Sequence, residues 1–168
     1  MFREMRRKRQ SLSQEEISSV LYRGTSGVLA LSGNDYYPYA VPISYIYDGE
    51  NFYFHCAKSG HKLDAIRQNA HVSFCVIDQD QIVPDAYTSY FRSVIAFGQI
   101  EILEDETEKR AAIEKLAIKY APQDTAIGRK NAIDREWTSL CMLKMRIDHI
   151  TGKEAIELIK KRIHAVTE

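Results

Sequence analysis

The sequence predicts an α+β fold: a small antiparallel β-barrel of about six strands, with helices at its ends and connections. Three observations carry that prediction. The apolar period is helical before Arg23-Gly24-Thr25 and strand-like after it, with one short helical break, before a long amphipathic helix begins at Glu106. Two turn signals, Gly33-Asn34-Asp35 and Asp48-Gly49, divide short β-prone runs into successive hairpins. Finally, 168 residues with 45% hydrophobic side chains suffice for one core burying roughly 70% of the unfolded surface.

Each element has its own signal. Ser13-Gln14-Glu15-Glu16 is a capping box, and the helix it opens carries Ile17, Val20 and Leu21 on one side. Gly27–Leu31 is a compact apolar strand. From Tyr39 to Tyr47, Val41, Ile43, Tyr45 and Tyr47 share one face while Pro42, Ser44 and Ile46 share the other. Proline donates no ladder hydrogen bond, so Pro42 marks an edge, a bulge or a parted strand. Phe52–His55 returns as the next strand, and Lys62–Asn69 reads as a short helix.

Val72–Ile77 is strongly apolar, and Asp78–Thr88 reads as a polar loop. Tyr90–Leu103 is long and β-prone, with Gly98 suggesting a bulge. Ile113, Leu116, Ala117 and Tyr120 line one side of a helix over Glu106–Tyr120, and a further helix is expected over Ala126–Leu140. Trp137 falls there at a packing position. Met142–Ile150 alternates as a strand. A second capping box, Thr151-Gly152-Lys153-Glu154, is expected to open a last helix with Ile156, Ile159 and Ile163 facing inward.

Charge narrows the function classes. Basic and acidic residues number 23 each, so the formal net charge is zero, which argues against a nucleic-acid coat. The neutrality is uneven: Arg3, Arg6, Arg7, Lys8 and Arg9 face only Glu4 in the first nine residues. The expected organisation is a basic arm over 1–12 and a single domain over 13–168. No stretch approaches the roughly 20 apolar residues of a membrane span. Cys56, Cys75 and Cys141 lie among apolar neighbours and read as free thiols in a reducing compartment, pointing to the cytoplasm. His55, Cys56 and His61 lack a second close-spaced ligand pair, so no metal is expected.

The sharpest local signal is His55-Cys56-Ala57-Lys58-Ser59-Gly60-His61-Lys62 at a strand-to-helix junction. Ser59 or Gly60 would stand just before a helix N-terminus, where open N–H groups and the dipole favour an anion. His61 and Lys62 add donors and a fixed positive charge. The pattern suits one phosphate group, and a polar loop with ordinary helix capping is the competing account.

These residues also carry a resemblance. Tyr37-Pro38-Tyr39-Ala40-Val41-Pro42-Ile43-Ser44-Tyr45, then Asp48-Gly49, Phe52-Tyr53-Phe54-His55-Cys56-Ala57 and Ser59-Gly60-His61-Lys62 resemble the nitroimidazole resistance proteins. Asn69-x-x-Val72-Ser73-Phe74, Tyr90–Gly98 and Thr151-Gly152-Lys153-Glu154-Ala155 continue the match. That group belongs to the pyridoxamine-phosphate-oxidase-like, FMN-binding split β-barrels.

The resemblance implies a six-stranded antiparallel split β-barrel with peripheral helices, forming a homodimer with FMN at the subunit interface. The FMN phosphate would lie against His61 and Lys62, with Ser59 or Gly60 adding donors. The flavin ring would run along Val41, Pro42, Ile43, Ser44 and Tyr45. His55 and Cys56 would approach the ribityl and phosphate region, and Ser93 the ring or chain. His149–Lys153 of a partner would complete the pocket.

The implied activity is FMN-dependent reduction of a nitroimidazole or other nitroaromatic compound towards the amine. His55 is the candidate proton donor, against the alternative of a structural strand histidine. The Arg-x-His signature of pyridoxamine-phosphate oxidases is missing; Arg146-Ile147-Asp148-His149 has different spacing. A flavoenzyme of this kind with another substrate, or a non-catalytic FMN-binding protein, are the alternatives.

Overall fold

A computed structural model describes residues 2–34 and 37–166, with side chains up to Lys161. The expected turn residue Asp35, neighbouring Tyr36, and the Ile163 side chain lie outside the described parts. The helices are α1 (Gln14–Arg23), α2 (His61–Gln68), α3 (Glu106–Tyr120), α4 (Ala126–Glu136) and α5 (Ile156–Val166). The strands are β1 (Ser26–Ser32), β2 (Pro38–Ser44), β3 (Ile46–Tyr47), β4 (Asn51–Ala57), β5 (His71–Val83), β6 (Thr88–Ile102) and β7 (Leu140–Glu154). They form one sheet in the order β2-β1-β5-β6-β7-β4-β3, with every pairing antiparallel.

Seven strands replace the expected six because the run Pro38–Tyr47 changes partner. Up to Ser44 it pairs with β1, and from Ile46 it pairs with β4. Tyr45 alone spans the switch, so consecutive residues of one chain segment form the two ends of an open sheet. Pro42 lies opposite Val28 on the end strand β2, where a missing N–H costs little.

The period-2 patterns build two cores. Phe52, Phe54, Phe74, Leu143 and Met145 turn inward with Tyr45, and α1 closes over them with Ile17, Val20 and Leu21. Leu63, Ala65 and Ile66 of α2 join the same cluster. Their strand neighbours Tyr53, Leu140 and Met142 point the other way and pack with α3 and α4 through Ile113, Leu116 and Ile133. Trp137 packs at the edge of this second core, as its helical position suggested.

Local capping went as expected at α1. Ser13 Oγ accepts from the Glu16 N–H at 3.2 Å, and Glu16 accepts from the Ser13 N–H at 2.8 Å. The second expected box failed. Thr151–Glu154 continues β7 and pairs with Ile95–Arg92 of β6, so the last helix starts only at Ile156. Ladder bonds outweighed the local cap, and the Glu154 carboxylate goes to Arg92 instead.

Helix α4 ends at Glu136, short of the expected Leu140, which is the first residue of β7. The expected polar loop over Asp78–Thr88 is largely strand, since β5 runs to Val83 and pairs with β6 as an exposed hairpin. Polar residues on both faces hid it from a periodicity argument. Gly98 does mark an irregularity, a register shift beside Phe97. A Cβ there would lie 2.0 Å from the Arg146 carbonyl oxygen, so no larger residue fits this close strand approach.

Candidate functional site: the start of helix α2

Strand β4 runs directly into the Lys58–Gly60 loop and α2. Alternation along β4 puts His55 at the exposed surface and directs Cys56 towards the larger of the two cores, on one face of the open sheet rather than inside the expected barrel. Gly60 is the N-cap residue of α2, at φ 128° and ψ 167°. That conformation demands glycine, although an added Cβ would meet nothing within 4 Å.

Helices α1, α3 and α4 each begin under a side-chain oxygen, from Ser13, Asp105 and Thr125. Helix α2 has no side-chain cap. Its first turn is therefore disposed to accept an outside anion, and the His61 and Lys62 side chains stand on it.

The His61 ring stacks on Tyr39 with centroids 4.3 Å apart and planes 20° from parallel. This contact joins the start of α2 to β2. The Lys62 charge reaches both His55 and Cys56. His55, Cys56, Ser59, His61 and Lys62 thus form one patch beside β2, with Val41, Pro42, Ile43 and Ser44 along that strand. This patch has the donors to hold a phosphate-bearing cofactor.

Tyr45 is a different case. Its ring is fully buried, its Oη donates to the Leu21 carbonyl at 2.8 Å, and its N–H donates to Tyr120 Oη at 3.0 Å. Tyr120 in turn donates to the Thr25 carbonyl, and Lys119 donates to Gly24 while its ammonium lies 4.4 Å from the Tyr45 ring centroid. The end of α3 thereby satisfies the backbone where β2 and β3 part. Tyr45 has no amide left for a ligand.

Within one protomer Ser93 lies on β6 between Ile77 and Lys153, with β5 and β1 standing between it and β2. Clefts of 910 and 760 Å³ also lie elsewhere, the first beside Tyr37 and His71 and the second beside Lys144 and Arg146.

The electrostatics bear on the role of His55. Burial of the ring's inner side lowers its pKa below the ordinary 6.5, and the positive Lys62 adds to the effect. The neutral form therefore prevails at pH 7. In acid the unfolded chain takes this proton first, so His55 contributes less to stability as pH falls through about 6.5. An NMR titration of the imidazole should find a midpoint below 6.5, rising in Lys62→Ala; a midpoint above 6.5 contradicts this electrostatic picture.

Sequence reasoning missed Tyr39 as the partner of His61, Tyr120 as the brace of Tyr45, and the ion chain behind Arg92. Arg92 donates to Glu154 from Nε at 3.0 Å and from a terminal nitrogen at 2.7 Å, and lies 3.5 Å from Asp78. Asp78 also accepts two 2.6 Å bonds from Arg23. No local pattern could show these pairings, because each joins residues far apart in the chain.

Comparison with known proteins adds to this geometry. No curated protein sequence matches the chain. A conserved hypothetical protein of Mycobacterium tuberculosis has a similar structure, with 21% identity, 90% of each chain covered and a TM-score of 0.77. A candidate 5-nitroimidazole antibiotic resistance protein of Bacteroides thetaiotaomicron shares 20% identity over 86% of each chain, with a TM-score of 0.70. An FAD-binding protein of Mesorhizobium loti shares 24% identity over 87% of this chain and 97% of its own, with a TM-score of 0.64. These likenesses concern the fold. The family model of pyridoxamine 5'-phosphate oxidase matches residues 13–154, from the capping serine of α1 to the last residue of β7. Since that match spans the whole sheet and most of the chain, the protein belongs to the pyridoxamine 5'-phosphate oxidase family.

Proposed function

We propose that the chain binds FMN at the patch formed by β2, β4 and α2 and works as an FMN-dependent oxidoreductase of nitroaromatic compounds. The observation that supports this most directly is the uncapped start of α2, with Gly60 in its positive-φ conformation and His61 and Lys62 on the first turn. Ser59, His61 and Lys62 would hold the phosphate. The outer edge of β2, with Val41, Pro42, Ile43 and Ser44, would run beside the ring. Bound flavin supplies the electron transfer to the nitro group.

In this reading His55 and Cys56 sit near the ribityl and phosphate end. Because His55 is neutral at pH 7, hydrogen bonding suits it there better than proton donation; protonation below pH 6.5 is what a catalytic role would require. The Tyr39 ring holds His61 in place.

The proposed assembly is a homodimer in the cytoplasm. Its motivation is the outer sheet face, where Ile77, Ile95 and Phe97 are 63%, 39% and 37% exposed. A dimer would also offer Ser93 and His149–Lys153 to the partner's flavin. Among the described residues no helix is long and apolar enough to cross a membrane. Light scattering should give twice 19.3 kDa.

FMN fluorescence should be quenched on titration with micromolar protein, and FAD should be titrated beside it. Lys62→Ala and His61→Ala should each weaken binding by about 1.5–3 kcal/mol, tenfold to a hundredfold or so. No quenching, or unchanged affinity in both variants, removes the basis of the assignment. Anaerobic reduced flavin should then be oxidised by a nitroimidazole faster with the protein than without it. Binding without that acceleration would instead favour a non-catalytic flavin protein or another substrate.

A further inference from the structure

We propose that Cys56 and Cys141 form a reversible disulfide that staples β4 to β7 at the end of their ladder, immediately before the Lys58–Gly60 loop. The two residues are direct partners in the antiparallel ladder, one pair before its end at Ala57 and Leu140. Opposed Cα atoms in such a ladder lie about 4.5–5.5 Å apart, inside the range a disulfide spans. Opposed side chains share a face, and both sulfurs join the larger core.

Both are free thiols, Cys141 buried and Cys56 half-buried. Cys75, the third cysteine, faces Val28 and Ile95 and has no thiol opposite. A cleft of 310 Å³ bordered by Lys58, Arg67 and Lys109 reaches Cys141, while Cys56 is the more open of the two thiols. Burial and then the neighbouring Cys141 push the Cys56 thiol up to about 11, with Lys62 only partly opposing them, so the bond should form slowly.

With a small disulfide as oxidant, the Cys56 thiolate attacks one of its sulfurs. That S–S bond breaks and a thiolate leaves. The Cys141 thiolate then attacks the Cys56 sulfur of the mixed disulfide and expels the second thiolate. Two protein thiols are oxidised, the reagent is reduced to two thiols, and the two protons pass to them. Because Cys56 keeps part of its surface open, a reductant can reverse the exchange.

The test treats the folded protein with hydroxyethyl disulfide, alkylates remaining thiols, and maps tryptic fragments without reduction. The expected product links Gly24–Lys58 to Glu136–Lys144, leaving Cys75 alkylated in Gln68–Arg92. Cys75→Ser should keep the link, and Cys56→Ser or Cys141→Ser should lose it. The thermal midpoint should rise on oxidation and fall back with dithiothreitol in the wild type and in Cys75→Ser only, since the bond closes a long loop. Alkylation of both Cys56 and Cys141 after treatment, or a link that forms only in denaturant, overturns the proposal.

Discussion

Glu154→Ala should lower the unfolding free energy by about 3–5 kcal/mol, read as a displaced urea midpoint with an unchanged slope. Glu154 is fully buried at the end of β7, and Arg92 meets it with two charge-assisted bonds of 3.0 and 2.7 Å. Removing the carboxylate leaves a guanidinium only 26% exposed with Asp78 at 3.5 Å as its remaining partner. Glu154→Gln keeps the shape and an acceptor, so it should cost distinctly less. The outer pair of the chain gives a contrast: Arg23 is 46% exposed, and Arg23→Ala should cost about 1 kcal/mol or less by losing the screened contact to Asp78. A Glu154→Ala cost no larger than that of Arg23→Ala would show that water replaces the lost carboxylate.

Phe74→Ala should cost a similar amount, about 3–5 kcal/mol, through a cavity in the larger core rather than through charge. Its ring meets Tyr45, Phe52 and Phe54 edge-on, with centroids 5.1, 5.1 and 5.0 Å away. These three aromatics come from the partner switch and from β4, so Phe74 ties the two ends of the sheet to its middle. Ile77, on the other face of the same strand, is 63% exposed. Within a monomer Ile77→Ala should cost only about 0.5 kcal/mol. Chemical denaturation of both variants at low protein concentration checks the difference. Equal costs would mean that β5 is not sided as its burial indicates.

Those two residues also show how far local pattern reaches. Phe74 was legible as part of the strongly apolar run Val72–Ile77, although that run by itself did not say which of its residues face inward. Glu154 was misread as a helix cap because Thr-x-x-Glu satisfies a local rule. What overrode the rule was ladder pairing to β6 together with a half-buried arginine 62 positions away. The same limit applies at Asp78, where a register shift beside Gln79 interrupts the β5–β6 ladder and both arginines converge.

The candidate site divides in the same way. The Ser59-Gly60-His61-Lys62 run could be read directly, because glycine before a helix and cations on its first turn are neighbours in sequence. That Tyr39 packs on His61 could not be read, since it depends on how β2 returns beside α2. Tyr45 was expected beside the flavin ring, but its side chain fills the core. Tyr120, 75 positions downstream, takes the Tyr45 N–H.

By itself the sequence determined the α+β class, the hairpin order, the inward faces and the place of Gly60 just before a helix. All four depend on period, turn chemistry and capping within a few residues. Only the tertiary structure decided that Pro38–Tyr47 splits at Tyr45, that β7 runs on to Glu154, and that Cys56 meets Cys141. These follow from backbone and side-chain pairing between distant segments, where the free energy of a closed contact outweighs any local preference.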